Sequence, residues 1–267
     1  MSKVILVTGG SSGIGRSICE FLNNKNYKVY GTSRNPDNYP DVSFNLLQLD
    51  VTNSDSISSC LEALIHKEGR IDVLVNNAGI GITGPVEEIP DVEIKRNFDT
   101  NFFGPVNIIK AVMPIMRKQN SGLIINITSI AGYMGLPYRG IYSASKAALE
   151  ILTEATRMEV KDFNIHLTNL APGDYATNIA SGRYHSPVNE NSQYAAKYGA
   201  ILQTINADVN KGNDPLEVAK AVFRIMQYRQ PKGHYVVGAF MQKVSIFLKR
   251  ILPHKAYERL IIRHYKL

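Results

Sequence analysis

The chain has 267 residues and a formal net charge of +7, and 44% of its residues are hydrophobic and 20% are charged. This is the composition of an ordinary globular protein, so it excludes a wholly disordered chain, and the length accommodates one large α/β domain. The two cysteines, Cys19 and Cys60, are too few for a disulfide framework or a multi-cysteine metal site. We expect both to be buried thiols.

The positive charge is concentrated at the C-terminal end. Residues 240–267 contain seven lysines and arginines and one glutamate, a net charge of +6, which leaves +1 for the first 239 residues. A nearly neutral body argues against a nucleic-acid-binding protein. No apolar run approaches the ~18 residues of a spanning helix, and the N-terminus has no signal-peptide cleavage pattern. We expect a cytoplasmic protein, either free or peripheral at the inner face of a membrane.

Short apolar runs alternate with helical patterns along the chain. Strands are predicted at Val4–Thr8, Lys28–Thr32, Leu46–Val51, Ile71–Asn76, Leu123–Ser129, Ile165–Pro172 and His234–Val237. Helices are predicted at Ile14–Leu22, Ser54–Lys67, Asn101–Arg117, Tyr142–Asp162 and Leu216–Arg229. This alternation is typical of βαβ units and predicts an α/β fold with a parallel sheet covered by helices on both faces.

The segment 174–213 interrupts the alternation. It is polar and rich in tyrosine, and insertions of this length in a compact domain are usually functional loops. We predict a substrate loop here, with a helix at Ala195–Ile205. Residues 1–239 form one predicted catalytic domain, and residues 240–267 form a C-terminal extension.

A glycine-rich turn, Thr8-Gly9-Gly10-Ser11-Ser12-Gly13-Ile14-Gly15, stands between the first predicted strand and the first predicted helix. Glycines let the backbone approach a pyrophosphate, and the helix N-terminus offers free N–H groups and the positive end of the helix dipole. This context predicts a dinucleotide site at Gly9, Ser11, Ser12, Gly13, Ile14 and Gly15. The alternative for this segment alone is a glycine-rich turn without a ligand.

Tyr142 and Lys146 lie four residues apart at the start of a predicted helix, so they share one face. A neighbouring ammonium favours the phenolate of a tyrosine, whose pKa is ordinarily near ~10. Tyr142 is therefore a candidate general acid/base, and Ser129 is a candidate for stabilising the substrate oxygen. The alternative for Tyr142 and Lys146 alone is a pair on a helix surface, and the alternative for Ser129 alone is a strand-end cap.

These motifs together resemble the short-chain dehydrogenase/reductase family of Rossmann-fold enzymes over residues 3–240. The resemblance is carried by the T-G-x-x-x-G-x-G turn, Asp50-Val51, Asn76-Asn77-Ala78-Gly79, Asn101, Ser129, Tyr142-x-x-x-Lys146 and Pro172-Gly173. It implies a doubly wound, mostly parallel seven-stranded sheet and hydride transfer between a nicotinamide and a substrate carbon, with no catalytic metal. It also implies a homodimer or homotetramer.

The resemblance also implies roles for the catalytic residues. Tyr142 would donate a proton to a carbonyl or accept one from an alcohol, and Ser129 would position the substrate. Lys146 would bind the nicotinamide ribose and lower the pKa of Tyr142. Asn101 would hold a water in a proton relay to Lys146.

Ser33 and Arg34, at the end of the second predicted strand, bear on the choice of cofactor. NAD-preferring sites usually place a carboxylate here for the ribose 2′-OH, whereas serine and arginine can bind a 2′-phosphate. We predict NADP(H) rather than NAD(H); the alternative is that Arg34 only covers the adenine. The resemblance implies further cofactor contacts at Asp50, Val51, Asn76, Asn77, Ala78, Gly79, Pro172, Gly173 and Thr177.

The C-terminal extension has an amphipathic pattern. Its apolar positions at helix spacing are Phe240, Met241, Val244, Phe247, Leu248, Ile251 and Leu252, with Ile246 as the exception. After Pro253 the pattern repeats. The apolar stripe either packs over the substrate loop or a second subunit, or contacts an anionic membrane surface, or does both. An apolar cover favours a lipophilic ketone or alcohol substrate, steroid-like or with an acyl chain. The rival functions are a nucleotide-binding regulatory protein and a membrane-surface protein, both without turnover.

Overall fold

The computed structural model describes residues 2–175, 182–210 and 212–267. The strands are β1 (Val4–Val7), β2 (Lys28–Ser33), β3 (Asn45–Gln48), β4 (Val73–Asn76), β5 (Ile82–Thr83), β6 (Gly122–Ile127), β7 (Ile165–Pro172), β8 (Tyr184–His185) and β9 (His234–Val237). The helices are α1 (Gly13–Asn23), α2 (Ser54–Glu68), α3 (Asp91–Phe98), α4 (Gly104–Gln119), α5 (Gly140–Glu159), α6 (Ala195–Asn210), α7 (Leu216–Gln227), α8 (Phe240–Ile251) and α9 (His254–Tyr265).

Seven strands form one parallel sheet in the order β3-β2-β1-β4-β6-β7-β9. This confirms the predicted seven-stranded sheet. The chain moves outward from β1 to β3 and then reverses to β4 on the other side of β1. A reversal of this kind opens a crevice at the carboxyl ends of β1 and β4, where ligands bind in open α/β sheets. The short strands β5 and β8 pair separately, also in parallel.

Both faces of the sheet are buried. In β1, Ile5 and Val7 belong to one hydrophobic cluster with α1 and α7, whereas Val4 and Leu6 belong to a second cluster with α2 and α4. This two-residue period follows from the strand geometry, since successive side chains point to opposite faces. The continuous apolar run of β1 therefore reflects helices on both faces, as expected for a parallel sheet.

Most predicted elements end within three residues of the observed bounds, and two of the differences have a visible structural reason. The predicted helix Asn101–Arg117 is a π-helical turn over Asp99–Phe103 followed by α4. The predicted strand Leu46–Val51 ends at Gln48. Its last residues leave the sheet because the Asp50 backbone N–H donates to Ser56 Oγ at 2.9 Å, and Asp50 Oδ1 accepts from the Thr52 N–H at 2.9 Å.

The segment 174–213, the predicted substrate loop, contacts the rest of the domain through its tyrosines. Tyr198, on α6, is buried and donates through its hydroxyl to the carbonyl oxygen of Thr83, on β5, at 3.3 Å. Tyr175 is also buried and donates to Glu217 at 3.1 Å. The helix predicted in this loop is present and extends to Asn210.

The C-terminal helices pack on the body through a small third cluster of Ile130, Met134, Ile246 and Tyr257. Ile246, the exception in the predicted apolar stripe, is only 8% exposed, whereas Phe247 is 61% exposed. The receiving surface, the turn Ile130–Tyr133, decides which face of α8 is buried, and the sequence of α8 does not contain that information. Among the described helices, none has the length and apolar character needed to cross a bilayer. Both cysteines are buried and free.

Candidate active site

Ser129, Tyr142 and Lys146 meet at the carboxyl end of the sheet. Ser129 follows β6, and its hydroxyl accepts from the Ala131 N–H at 3.1 Å, which starts the turn over Ile130–Tyr133. Tyr142 lies on the first turn of α5, and Lys146 follows one turn later. All three line one cavity of about 650 Å³. The structure thus brings the Ser129 side chain, at the end of β6, together with Tyr142 and Lys146 on one face of α5.

Lys146 is a buried cation. Its ammonium donates to the carbonyl oxygen of Ile127 at 3.0 Å and lies 6.0 Å from the ring centroid of Tyr142. Burial lowers the pKa of Lys146 to about 8, and the negative charge of Glu150 opposes that effect. The ammonium therefore remains largely protonated at neutral pH, close to the phenol.

The phenol of Tyr142 is held in a mixed electrostatic environment. Burial raises its pKa, while the Ser129 hydroxyl and the guanidiniums of Arg183 and Arg139 lower it. The sequence prediction gave the lowering role to Lys146. That role of Lys146 stays a prediction, and the two arginines are further cations near the phenol that the sequence prediction did not include.

Asn101 occupies the π-helical turn between α3 and α4 and is fully buried. Its Oδ1 accepts from the Ile80 N–H at 2.9 Å, and its Nδ2 donates to the Ile80 carbonyl oxygen at 2.9 Å and to Ser145 Oγ at 3.2 Å. A Cβ on Gly79 would lie 3.1 Å from Asn101 Oδ1 and 3.4 Å from Lys146 Nζ. Gly79 therefore leaves the space in which Asn101 and Lys146 approach each other. The water relay remains a prediction.

The glycine-rich turn has the geometry of a phosphate cradle. Gly9 and Gly13 have φ values of +63° and +53°, and a Cβ on Gly15 would lie 2.1 Å from the Gly9 carbonyl oxygen. Asn77 holds the turn in place, since its Nδ2 donates to the carbonyl oxygens of Thr8 and Gly9 at 2.9 and 3.1 Å. The turn leads directly into α1, whose N-terminal N–H groups suit a phosphate.

The other predicted cofactor residues lie along the same edge of the sheet. Ser33 ends β2, its hydroxyl accepts from the Asn35 N–H at 3.2 Å, and Arg34 is exposed beside it. Asp50 and Val51 follow β3, Ala78 lies against Gly9, and Gly173 follows β7. Thr177 lies outside the described residues. Together the described ones form one continuous edge from the glycine-rich turn to Gly173, the predicted cofactor edge.

The family model for short chain dehydrogenase matches residues 3–187. The chain belongs to the short-chain dehydrogenase/reductase family. Its members are oxidoreductases that act on CH–OH groups of small molecules with nicotinamide cofactors, and they are commonly oligomeric.

Similar proteins span almost the whole chain. A 3-ketodihydrosphingosine reductase of Bacteroides thetaiotaomicron is 41% identical over 253 residues, which cover 94% of this chain and 93% of that protein. The crystal structure of a short-chain dehydrogenase from Streptomyces avermitilis has a TM-score of 0.83 and 32% identity, covering 100% of this chain and 97% of that one. The structure of ElxO with NADP bound has a TM-score of 0.71 and 29% identity, covering 89% and 96%.

Sequence reasoning missed a buried hydrogen-bond network behind this short-chain dehydrogenase/reductase site. Glu150 lies one turn after Lys146 on α5 and is buried. Its carboxylate accepts from Tyr133 at 3.1 Å and from Thr128, and it contacts His234 Nδ1 at 2.9 Å. Burial raises the pKa of Glu150, against these hydrogen bonds. The only sequence signal for Glu150 was its four-residue spacing from Lys146, which places the two side chains on the same face of α5.

Sequence reasoning also missed the contact that joins the C-terminal extension to the cofactor edge. A Cβ on Gly173 would lie 1.9 Å from Gln242 Oε1, and Gln242 Nε2 donates to Asp174 Oδ2 at 2.7 Å. The first turn of α8 therefore rests on the segment that follows β7. This contact joins residues 69 positions apart, so no local pattern announces it.

Proposed function

We propose that the protein reduces a lipophilic ketone to a secondary alcohol with NADP(H), and that Tyr142 is its general acid. One observation carries the proposal: Ser129, Tyr142 and Lys146 stand together in a cavity of about 650 Å³. Apolar side chains line much of the rest of that cavity, among them Met134, Leu136, Val244, Leu248, Leu260 and Ile261. An acyl chain or another bulky apolar group fits such a lining. The name of the Bacteroides relative, a 3-ketodihydrosphingosine reductase, describes a lipid ketone.

The residues of the chain divide the work around the carbonyl. The bound nicotinamide cofactor supplies the hydride. Ser129 donates a hydrogen bond to the substrate oxygen and stabilises its developing charge. Tyr142 transfers its phenolic proton to that oxygen, and the nearby cations Lys146, Arg139 and Arg183 stabilise the phenolate that remains. Asn101 holds the Ile80 backbone by two hydrogen bonds and lies near Lys146. In the proposed proton path it follows Lys146.

NADP(H) is the proposed cofactor because Ser33 ends β2, and Arg34 follows it, where an NAD-preferring site usually has a carboxylate. The exposed Arg34 guanidinium can pair with a 2′-phosphate in two parallel hydrogen bonds. We expect Arg34→Ala to raise the KM for NADPH at least about tenfold and to change the KM for NADH much less. Arg229→Ala, which removes an exposed arginine after α7, serves as the matched control. Equal KM values for both cofactors in the unmodified protein would contradict the preference.

The test of the activity is a hydride-transfer assay. The purified full chain is mixed with NADPH and a panel of long-chain 3-ketones, steroid ketones and short ketones, and the absorbance of NADPH is followed. Tyr142→Phe removes the phenolic hydroxyl, and with it the transferable proton, and keeps the aromatic ring. We therefore expect kcat to fall at least about a hundredfold. NADPH binding without turnover of any ketone, or of the matching alcohols with NADP⁺, would favour a nucleotide-binding protein instead.

We propose that α4 and α5 form the interface of a homo-oligomer. Ile151 and Met158 lie seven residues apart on α5 and are 67% and 68% exposed, and Phe103 is exposed beside α4. An apolar face of this kind on a helix favours burial against another subunit. Light scattering should give a dimer or tetramer, and Ile151→Lys should shift it toward the monomer. A monomeric unmodified protein would contradict the proposal.

We also propose that α8 contacts an anionic membrane surface. Phe240, Phe247 and Ile251 form an exposed apolar stripe along the helix, with Lys243 and Arg250 exposed beside it. Apolar and basic side chains on one helix suit a bilayer interface. The full chain should float with phosphatidylserine-containing vesicles at low salt, and Phe247→Ser should reduce the floated fraction more than Ile151→Ser does. Failure of the unmodified protein to float would remove this proposal.

A further inference from the structure

Two arginine side chains lie in the cavity beside the catalytic groups. Arg139 immediately precedes α5 and Arg183 immediately precedes β8, and both line the cavity with Tyr142. Both guanidiniums are close enough to the phenol of Tyr142 to lower its pKa. They therefore stand near the carbonyl end of a bound substrate and not at the far end of its chain.

Each arginine is held in place by its own contacts. Arg139 Nη2 donates to the hydroxyl of Tyr265, and its guanidinium carbon lies 5.9 Å from the Tyr265 ring centroid. The side chain of Arg183 runs along Gly81, where a Cβ would lie 2.7 Å from Arg183 Nε and 2.8 Å from its Cγ. These contacts limit the motion of both guanidiniums before any substrate arrives.

In the ranges that the structure describes, part of each guanidinium is buried without a hydrogen-bond partner. Among the described residues, Arg139 Nε and Arg183 Nη1 have no hydrogen-bond acceptor. A buried donor that belongs to a charged group is costly when its hydrogen bond is not made. An acceptor brought in by a ligand would remove that cost at both positions.

The charge of the cavity lining is also unbalanced. Arg139, Lys146 and Arg183 line it, and Asp174 is the one acidic side chain among its described lining residues. Asp174 Oδ2 already accepts from Gln242 Nε2. The ion pairs found among the described residues do not include either arginine. A cavity with this excess of positive charge favours a ligand that carries negative charge.

We propose that Arg139 and Arg183 form an oxyanion subsite, which binds a carboxylate, sulfonate or phosphate group attached close to the ketone of the substrate. This inference rests on the proposed ketone reduction and adds the chemistry of the head group. Guanidinium groups suit all three anions because their planar donors match paired oxygen atoms. The apolar lining of the cavity takes the chain. The substrate is therefore an acyl-chain ketone with an acidic head.

The test compares ketones that differ only in the head group. The substrates are 12-carbon ketones that carry, two bonds from the carbonyl carbon, a carboxylate, a sulfonate, a phosphonate, a neutral methyl ester or a protonated amine. NADPH oxidation by the full chain gives kcat/KM for each. We expect at least one anionic ketone to exceed the neutral ester by about ten- to a hundredfold, and the amine to be the poorest substrate. Comparison of the three anions identifies which oxyanion the site prefers.

Variants then tie the preference to the arginines. Arg183→Met and Arg139→Met should each reduce the ratio of anionic to neutral kcat/KM at least about tenfold, with most of the change in KM. Arg183→Lys keeps the charge but not the paired donors, so it should restore part of the ratio. Arg224→Met is the matched control, since Arg224 is exposed on α7 and donates to the Lys220 carbonyl oxygen of its own helix. Thermal melts confirm that each variant folds.

Two results would overturn the subsite. One is an unmodified protein that prefers neutral or cationic ketones. The other is an Arg183→Met variant that keeps the anion preference, or that raises the KM for NADPH instead, which would assign Arg183 to the cofactor. Calorimetry with octanesulfonate and octanol separates this inference from the proposed function. Arg183-dependent binding of octanesulfonate without turnover of any ketone supports the subsite alone, whereas turnover without head-group preference supports the reduction alone.

Discussion

Lys146 makes the stability of the protein depend on pH in the direction opposite to that of an ion-paired lysine, because its pKa is lowered in the fold and not raised. Its pKa is about 8 in the folded chain and near ~10.4 in an unfolded one, where water surrounds it. Below pH 8 both states hold the proton, and folding costs about 3 kcal/mol for placing the ammonium in the interior. Between about pH 8 and 10.4 the unfolded chain binds one more proton than the folded one. Stability from this group therefore rises by about 1.4 kcal/mol per pH unit in that window.

The perturbation is Lys146→Met, which keeps a similar length and removes the charge. We expect the unmodified protein to gain about 3 kcal/mol relative to this variant between pH 7 and pH 10.4. At pH 7 the variant is relieved of the burial cost but loses the hydrogen bond from Nζ to the Ile127 carbonyl oxygen, worth about 1.5–3 kcal/mol. The two proteins should therefore have similar stability at neutral pH, although the variant has lost a group proposed for catalysis.

The assay is urea-induced unfolding of both proteins at half-unit steps from pH 7 to 10.5, without cofactor. Other groups that titrate in this range are present in both proteins, so the difference in free energy of unfolding isolates Lys146. Difference curves that stay flat across the window would show that the pKa of Lys146 is not lowered in the fold. A difference that falls as pH rises would show the opposite sign and refute the burial argument.

Three other substitutions test separate parts of the site. Glu150→Gln removes a charge that raises the pKa of Lys146, so the alkaline limb of kcat/KM should move down by roughly one pH unit, while Glu154→Gln, on the exposed side of His234, should leave it in place. Gly15→Ala should raise the Kd for NADPH at least about tenfold, because its Cβ would lie 2.1 Å from a carbonyl oxygen; Gly233→Ala, whose nearest neighbour lies at 3.9 Å, should bind normally in the same fluorescence titration. Ile246→Ala should cost about 2–3 kcal/mol in the free energy of unfolding and Phe247→Ala less than about 0.5 kcal/mol, and the reverse order would mean that α8 packs by its other face.

The elements set by local chemistry were predictable from the sequence. The turn Gly9–Gly15 has glycines where the backbone needs positive φ or close approach, so its composition reveals its shape. The central strands β1, β4 and β6 are apolar and buried on both faces, so each appears in the sequence as a recognisable apolar run. Tyr142 and Lys146 were placed on one helix face by their spacing alone. These signals rest on neighbours within a few residues.

The features that the sequence analysis missed depend on contacts with segments that are distant in the sequence. Phe247 has the same apolar character as Ile246, and only the position of the turn Ile130–Tyr133 decides that Ile246 is buried. Arg183 reaches the cavity because β8 pairs with β5, about a hundred residues earlier in the chain. The π-helical turn at Asn101 is set by hydrogen bonds to Ile80 and Ser145, which a helical pattern in the sequence does not reveal.

The C-terminal extension, residues 240–267, lines part of the candidate active-site cavity. Its first turn reaches the cofactor edge through Gln242 and Asp174, and its last turn holds Arg139 through Tyr265. Between these two contacts, Leu248 and Ile261 face the cavity. The extension thus contacts the predicted cofactor edge, supplies apolar side chains to the cavity and holds Arg139 of the proposed oxyanion subsite. An acyl chain that packs against α8 and α9 would order the same helices that hold Arg139. The preference for an anionic head group should therefore increase with the length of the acyl chain. For matched pairs of anionic and neutral ketones, the ratio of their kcat/KM values should therefore rise from 6-carbon to 12-carbon chains. A ratio that does not change with chain length would show that the apolar lining and the oxyanion subsite act separately.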